Sequence, residues 1–161
     1  MRWRPLVLVS LLLGCGYHFT GGAAALPEGI RSVRVPMFKN RTADVSVETT
    51  FTEAMRVQLE RAQVLGGAAS EAVLEGELVA LSTSQTPAAN NALASYRLSG
   101  RLRLRLTRNG QVVSATEVSG FEDYLTGAAD DPLLSEANRE EALHRLATSL
   151  AHEGYERIAS P

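Results

Sequence analysis

The sequence predicts an α+β fold, a two-layer sandwich in which a four-stranded mixed sheet carries two amphipathic helices on one face. Three observations predict it. Two segments repeat apolar residues at helical spacing, three segments alternate apolar and polar residues, and Asn109-Gly110 is a strong hairpin signal between two of the alternating segments. The predicted order is strand, helix, three strands and helix.

The first strand is predicted over residues 30–40. Its apolar positions are Ile30, Val33, Val35 and Phe38. Because Pro36 has no N–H group to donate, we expect this strand at the edge of the sheet or at a strand end rather than in the centre.

The two helices are predicted over residues 45–64 and 132–158. Gly66-Gly67 is expected to end the first helix, and either Asp131 or Ser135 is expected to begin the second. The apolar stripe of the first helix is Val47, Phe51, Ala54, Met55, Leu59 and Ala62, and that of the second is Leu143, Leu146, Ala147, Leu150, Ala151 and Ile158.

Three strands are predicted over residues 73–84, 96–108 and 111–124. In the first of them, Leu74, Leu78 and Ala80 are expected on the apolar side, opposite Glu75, Glu77 and Val79. The second alternates more strictly, with Leu98, Leu102, Leu104 and Leu106 on one side and Arg97, Ser99, Arg101, Arg103 and Arg105 on the other. One face of the sheet is therefore expected to carry a row of arginines that no helix covers.

This arginine row has two interpretations. Arg101, Arg103 and Arg105 project to one side at steps of ~6.6 Å. They form either a solvated face balanced by Glu75 and Glu77 on a neighbouring strand or an anion-binding surface, since guanidinium groups bind phosphate bidentately and keep their charge at biological pH. The alternation of residues alone does not decide between these two interpretations.

The N-terminus is typical of an exported protein. Arg2 and Arg4 precede an apolar run over residues 5–13, which is too short to span a membrane and matches a secretory signal better than a buried strand. We predict a lipoprotein-type signal peptide over residues 1–14, a lipidated N-terminus and linker over 15–28, and a single domain over 29–159.

The only cysteine follows that signal. The tetrapeptide Leu12-Leu13-Gly14-Cys15 resembles the lipobox of bacterial lipoproteins, which implies that Cys15 begins the mature chain and carries diacylglycerol and an acyl group such as palmitate. Several acyl chains together anchor a protein firmly to a membrane. The alternative is a buried cysteine acting as a small hydrophobe.

Composition and spacing argue against several function classes. The net charge of -2 and a pI near 5.9 do not fit a nucleic-acid-binding protein. His144 and His152 are two helical turns apart, too far for one metal ion. Glu122 and Asp123 are neighbours in a strand, so their carboxylates point to opposite faces. We predict no catalytic activity, no metal and no cofactor.

Several motifs carry a family resemblance. "CGYHFTGG" after the lipobox, "LPEGIRSVRVPMFKNRT", a helix beginning near "VETTFTEAM" and "EAVLEGELVAL" follow one another in an order that resembles the LptE family of lipopolysaccharide-assembly lipoproteins. The resemblance implies a plug inside the lumen of the LptD β-barrel, the pair delivering lipopolysaccharide to the outer leaflet of a Gram-negative outer membrane. Gly16, in place of aspartate, implies sorting to that membrane.

The resemblance also implies lipopolysaccharide binding through basic residues, without fixing their positions. From the alternation we take Arg97, Arg101, Arg103 and Arg105 as candidate contacts to lipopolysaccharide phosphates or to the barrel lumen. The alternative function is a stand-alone envelope lipoprotein that binds a lipid or serves as a scaffold in another envelope complex.

Replacing Cys15 by alanine removes the sulfur to which the lipid is joined. We expect Cys15→Ala to lose incorporation of labelled palmitate completely, with the uncleaved precursor accumulating on gels. A variant that still labels as a lipoprotein would show that the lipobox prediction is wrong.

Overall fold

The computed structural model describes residues 26–86, 95–126 and 132–160, and it confirms the α+β prediction. The predicted signal peptide, Cys15 and Gly16 lie outside these ranges. A 3-10 turn at Pro27–Gly29 precedes strands β1 (Val33–Arg34) and β2 (Lys39–Asn40), helix α1 (Val47–Arg61), strands β3 (Ala72–Thr86), β4 (Ser95–Arg108) and β5 (Gln111–Leu125), and helix α2 (Pro132–Ala159).

The sheet is mixed. Strands β3, β4 and β5 form an antiparallel meander, and β1 and β2 both pair in parallel with the same edge of β3. The predicted first strand is therefore two short strands at the sheet edge, with Pro36 between them. This position agrees with the expectation that a strand containing Pro36 lies at the sheet edge, because proline has no N–H group to donate to a neighbouring strand.

The predicted placement of Ala80 is wrong. The register of β3 against β4 shifts between Leu78 and Ala80, so Ala80 pairs with Arg101 and lies exposed on the arginine side. A β-bulge places one extra residue in a strand, and the faces of all later residues are exchanged relative to strict alternation. Leu74 and Leu78, which precede the bulge, are buried as predicted.

The first helix also ends earlier than the glycine pair predicts. It stops at Arg61, and Gln63 adopts the left-handed conformation at φ 59°. The Gln63 N–H donates to the carbonyl of Glu60 and the Val64 N–H to that of Leu59, both at 2.9 Å, which closes the helix without glycine. Gly66 instead lies beside β1, and its N–H donates to the Val33 carbonyl at 2.8 Å.

The core lies between the sheet and the two helices. Helix α2 packs on β4 and β5, while α1 packs mainly against α2. Every member of the predicted stripe of α2 is buried, and Val47, Phe51, Met55 and Leu59 of α1 are buried with them. The same core includes Leu98, Leu102, Leu104 and Leu106 of β4.

Side-chain hydrogen bonds fix the connection from β2 to α1. The buried Thr52 hydroxyl accepts from the Phe38 N–H at 3.0 Å and donates to the Glu48 carbonyl at 2.6 Å. The Asn40 amide group donates to the carbonyl of Asp44 at 2.7 Å and to the Glu48 carboxylate at 3.0 Å. These bonds give Asn40, the first residue of the "NRT" motif, and Thr52 structural roles in this connection.

A methyl group at Gly76 of β3 would disturb the packing of Phe38, the residue before β2, on this strand. A Cβ atom there would lie 2.5 Å from the ring of Phe38, whereas a Cβ atom at Gly67 would meet nothing within 4 Å. We expect Gly76→Ala to lower the free energy of unfolding by ~1–3 kcal/mol because the buried ring must shift. Gly67→Ala is the control and should change it by less than ~0.5 kcal/mol. Equal midpoints in urea for both variants would contradict this packing.

Candidate anion-binding face

The face of the sheet opposite the helices carries the predicted arginine row, and we call it the arginine face. Odd-numbered residues of β4 point to this side because its leucines are buried on the other. The charged residues of the face are Arg34, Lys39, Arg41, Glu75, Glu77, Arg97, Arg101, Arg103, Arg105, Glu117 and Asp123. Seven cations and four anions give it a positive balance, although the whole chain has a net charge of -2.

Arg103 lies at the centre of an ion-pair network. Its guanidinium group contacts Glu77 of β3 at 3.1 Å and Glu117 of β5 at 2.8 Å. Glu77 also accepts a hydrogen bond from Nε of Arg41 at 2.7 Å. The Arg41 hydrogen bond, followed by the charges of Arg41 and Arg103, holds the pKa of the Glu77 carboxyl below its usual value.

Arg97 is held by a different set of contacts. It donates two hydrogen bonds to Asp123, at 2.8 and 2.9 Å, and its guanidinium carbon lies 3.9 Å from the centroid of the Phe121 ring. The bidentate bond lowers the pKa of Asp123 and raises that of Arg97. Arg97 is therefore the most firmly positioned of the four candidate arginines.

Arg101 and Arg105 are held more loosely. Nε of Arg101 lies 3.6 Å from Glu117. Arg105 lies directly across from Glu75 in the β3–β4 register, but within the described residues no ion pair joins Arg105, or Lys39, to a carboxylate. Lys39, Arg103 and Arg105 line a shallow depression of about 120 Å³ above β3, and the carboxylates of Glu75 and Glu77 line it with them.

The contacts show that some arginines of the row are balanced by acidic side chains, whereas others stay available for an anion. Acidic side chains balance the charges of Arg97 and Arg103. Glu77 was predicted to do so and pairs with Arg103, whereas Glu117 and Asp123 of β5 pair with Arg103 and Arg97 without having been predicted. The predicted pairing with Glu75 is absent among the described side chains. Lys39, Arg41 and Glu117 were not predicted as members of this face, because only the strand pairing brings them beside β4.

The remaining titratable residues do not form a second centre in the ranges described. His144 and His152 lie exposed on α2, on the helical side of the molecule. Glu122 pairs with Arg145 of α2 at 3.2 Å while Asp123 pairs with Arg97 on the opposite face, as strand geometry predicts. No cluster of three His, Cys, Asp or Glu residues suited to a metal ion occurs among the described residues.

Neither helix in the described part of the chain is both long and apolar enough to cross a bilayer.

Comparison with known families identifies the chain. The model of the LptE lipopolysaccharide-assembly family matches residues 30–158. The chain belongs to this family. The match covers the whole described sheet and both helices except the last residue of α2.

Solved structures share the fold of this LptE family member. A chain from Caulobacter crescentus CB15 has a TM-score of 0.55 at 18% identity, covering 87% of this chain and 91% of its own. A minor lipoprotein from Acinetobacter baumannii has a TM-score of 0.54 at 9% identity, covering 81% and 92%. Lipoprotein B from Nitrosomonas europaea has a TM-score of 0.53 at 16% identity, covering 90% and 91%. No curated protein matches the sequence.

The lowered pKa values of Glu77 and Asp123 predict acid sensitivity. A group whose pKa is lower in the folded state stabilises the fold above its unfolded pKa, and this contribution is lost as the pH falls through the folded value. We therefore expect the free energy of unfolding to fall from just above pH 4.5, the ordinary value for Glu77, downwards. Asp123→Asn and Glu77→Gln should each flatten that decline in urea titrations between pH 6 and pH 3. A decline of unchanged slope in both variants would contradict the assignment.

Proposed function

We propose that this protein is a lipopolysaccharide-assembly lipoprotein of the outer membrane, anchored through lipid on Cys15. It sits in the lumen of an LptD-type β-barrel and assists the delivery of lipopolysaccharide to the outer leaflet. Family membership supports lipopolysaccharide assembly. The observation that carries the proposal is the charge of the arginine face: it is net positive and no helix covers it, although the chain has a net negative charge.

The outer surfaces of both layers support the position in a barrel lumen. The interior of a large outer-membrane barrel is polar and filled with water. The sheet presents the arginine face, and the helical layer presents exposed ion pairs such as Arg145–Glu141 and Arg157–Glu153. A compact core with polar surfaces on both sides fits a plug that contacts such walls through polar groups.

The contacts of the arginine face indicate which residues bind phosphate. Arg105 and Lys39 line one depression together with Arg103, Glu75 and Glu77, and neither has a carboxylate ion-pair partner among the described residues, so a phosphate group can contact both without displacing an ion pair. Arg101 and Arg103 are about half-exposed and their pairs are screened by salt, so phosphate can exchange with Glu117. Arg97, bound bidentately to Asp123 and stacked on Phe121, is the least available of the four.

Substitution of Arg105 tests phosphate binding by the arginine face most directly. We expect Arg105→Ser to weaken binding of purified lipopolysaccharide by roughly tenfold, because a charge-assisted contact is lost. The effect should shrink as salt is raised. The matched control is Arg61→Ser, since Arg61 is also an arginine without an ion pair among the described residues but lies on α1 in the helical layer.

Binding should be measured with both variants folded, as shown by unchanged urea midpoints. Equal affinities for the parent chain, Arg105→Ser and Arg61→Ser would contradict the role of the arginine face. Equal weakening by both changes would show that only total charge matters.

A further inference from the structure

The depression on the arginine face contains one carboxylate that no cation of the protein neutralises by contact. Glu75 and Glu77 both line it, and they project from β3 to the same side ~6.6 Å apart. Glu77 accepts hydrogen bonds from Arg41 at 2.7 Å and from Arg103 at 3.1 Å. The side chain of Glu75 is exposed, and it has no hydrogen bond or ion pair in the described part of the chain.

The strand register places a cation directly beside Glu75, yet the two side chains do not pair. Arg105 of β4 lies opposite Glu75, a position in which opposite charges usually attract each other across the strands. Lys39, which lines the same depression, also has no ion pair with a carboxylate among the described residues. The depression therefore presents two cations and one anion whose charges are not matched by contacts within the described protein.

The two cations lie on either side of the strand that carries Glu75. Lys39 belongs to β2 and Arg105 to β4, with β3 between them. Neighbouring strands are ~4.8 Å apart, so the backbones of β2 and β4 are separated by ~10 Å. Both side chains are long enough to reach one group bound above β3. An anion held by both cations therefore lies close to the carboxylate of Glu75.

A bare anion fits this arrangement poorly. It gains the attraction of Lys39 and Arg105 but meets the charge of Glu75, and like charges at this separation repel each other. A ligand that carries a hydrogen-bond donor beside its phosphate avoids the conflict. The carboxylate can then accept from a hydroxyl or an ammonium group, and hydrogen bonds to charged groups are among the strong ones.

We propose that the depression binds a phosphorylated sugar, with the phosphate on Lys39 and Arg105 and a neighbouring hydroxyl or amino group of the sugar ring donating to Glu75. Sugar rings carry such donors on the carbon atoms next to the phosphate-bearing carbon, whereas a lipid such as phosphatidic acid offers none. Glu75 therefore distinguishes the phosphorylated sugars of lipopolysaccharide from the phosphates of such lipids. The inference rests on the proposed function and adds to it the part of lipopolysaccharide that this face binds.

Removal of the Glu75 carboxylate tests the proposal, because charge alone predicts the opposite result. If only charge matters, Glu75→Ala removes a repulsion and strengthens the binding of every phosphate ligand. We expect instead that Glu75→Ala weakens the binding of purified lipopolysaccharide by roughly three- to tenfold, since a charge-assisted hydrogen bond is lost. The same variant should bind vesicles containing phosphatidic acid roughly twofold more tightly, since this lipid loses only the repulsion.

Three further variants separate the effect from charge and stability. Glu117→Ala removes a carboxylate that pairs with Arg101 and Arg103, so it should strengthen the binding of both ligands. Glu60→Ala removes the same charge from the exposed surface of α1 and should change neither. Glu75→Gln keeps an acceptor oxygen and should restore part of the lipopolysaccharide binding. All these positions are exposed, so urea midpoints should stay close to that of the parent chain.

The outcomes separate this inference from the proposed function. Stronger or unchanged lipopolysaccharide binding by Glu75→Ala, while Arg105→Ser binds weakly, would overturn the role of Glu75 and leave phosphate binding by the arginine face intact. If Glu75→Ala also weakens binding to vesicles of phosphatidylethanolamine, in which an ammonium group accompanies the phosphate, the assignment to a sugar is wrong. Unchanged affinity in both variants would contradict the proposed role of the arginine face itself.

Discussion

The structure depends first on the burial of the leucine row of β4. Leu98, Leu102, Leu104 and Leu106 are each 0–1% exposed, beneath the helical layer. Since successive residues of a strand face opposite sides, a slip of one residue would place the arginines of β4 in this apolar layer, where unpaired charges are strongly unfavourable. The leucines therefore fix the register of the central strand, the side on which the helices pack, and the side on which the arginines remain open.

The arginine face combines ion pairs that position side chains with cations that stay available. Glu77 joins β2 to β4 because it accepts from both Arg41 and Arg103, and Asp123 joins β4 to β5 through Arg97. Most of the acidic groups of the face are therefore already in ion pairs. Arg105 and Lys39 have no carboxylate ion-pair partner in the described ranges, so an anion in the depression that they line with Arg103, Glu75 and Glu77 can contact them without displacing an ion pair.

The sequence predicts the elements and the faces because periodicity records burial directly, as in β4 and α2. It does not predict the partners of each arginine. Glu117 is 14 residues from Arg103 and Glu77 is 26 residues away, and only the register of three strands brings them together. The bulge at Val79, which exposes Ala80, leaves no mark in the apolar pattern. The end of α1 depends on Gln63 in a left-handed conformation that glycine more often adopts.

The most direct test of the proposed function is gentle detergent extraction of outer membranes through a C-terminal tag, followed by mass spectrometry of the proteins that co-purify. We expect a large β-barrel at one copy per copy of this chain. Recovery of the lipoprotein without any barrel, or with other envelope proteins in its place, would contradict the plug proposal while leaving the fold and the family unaffected.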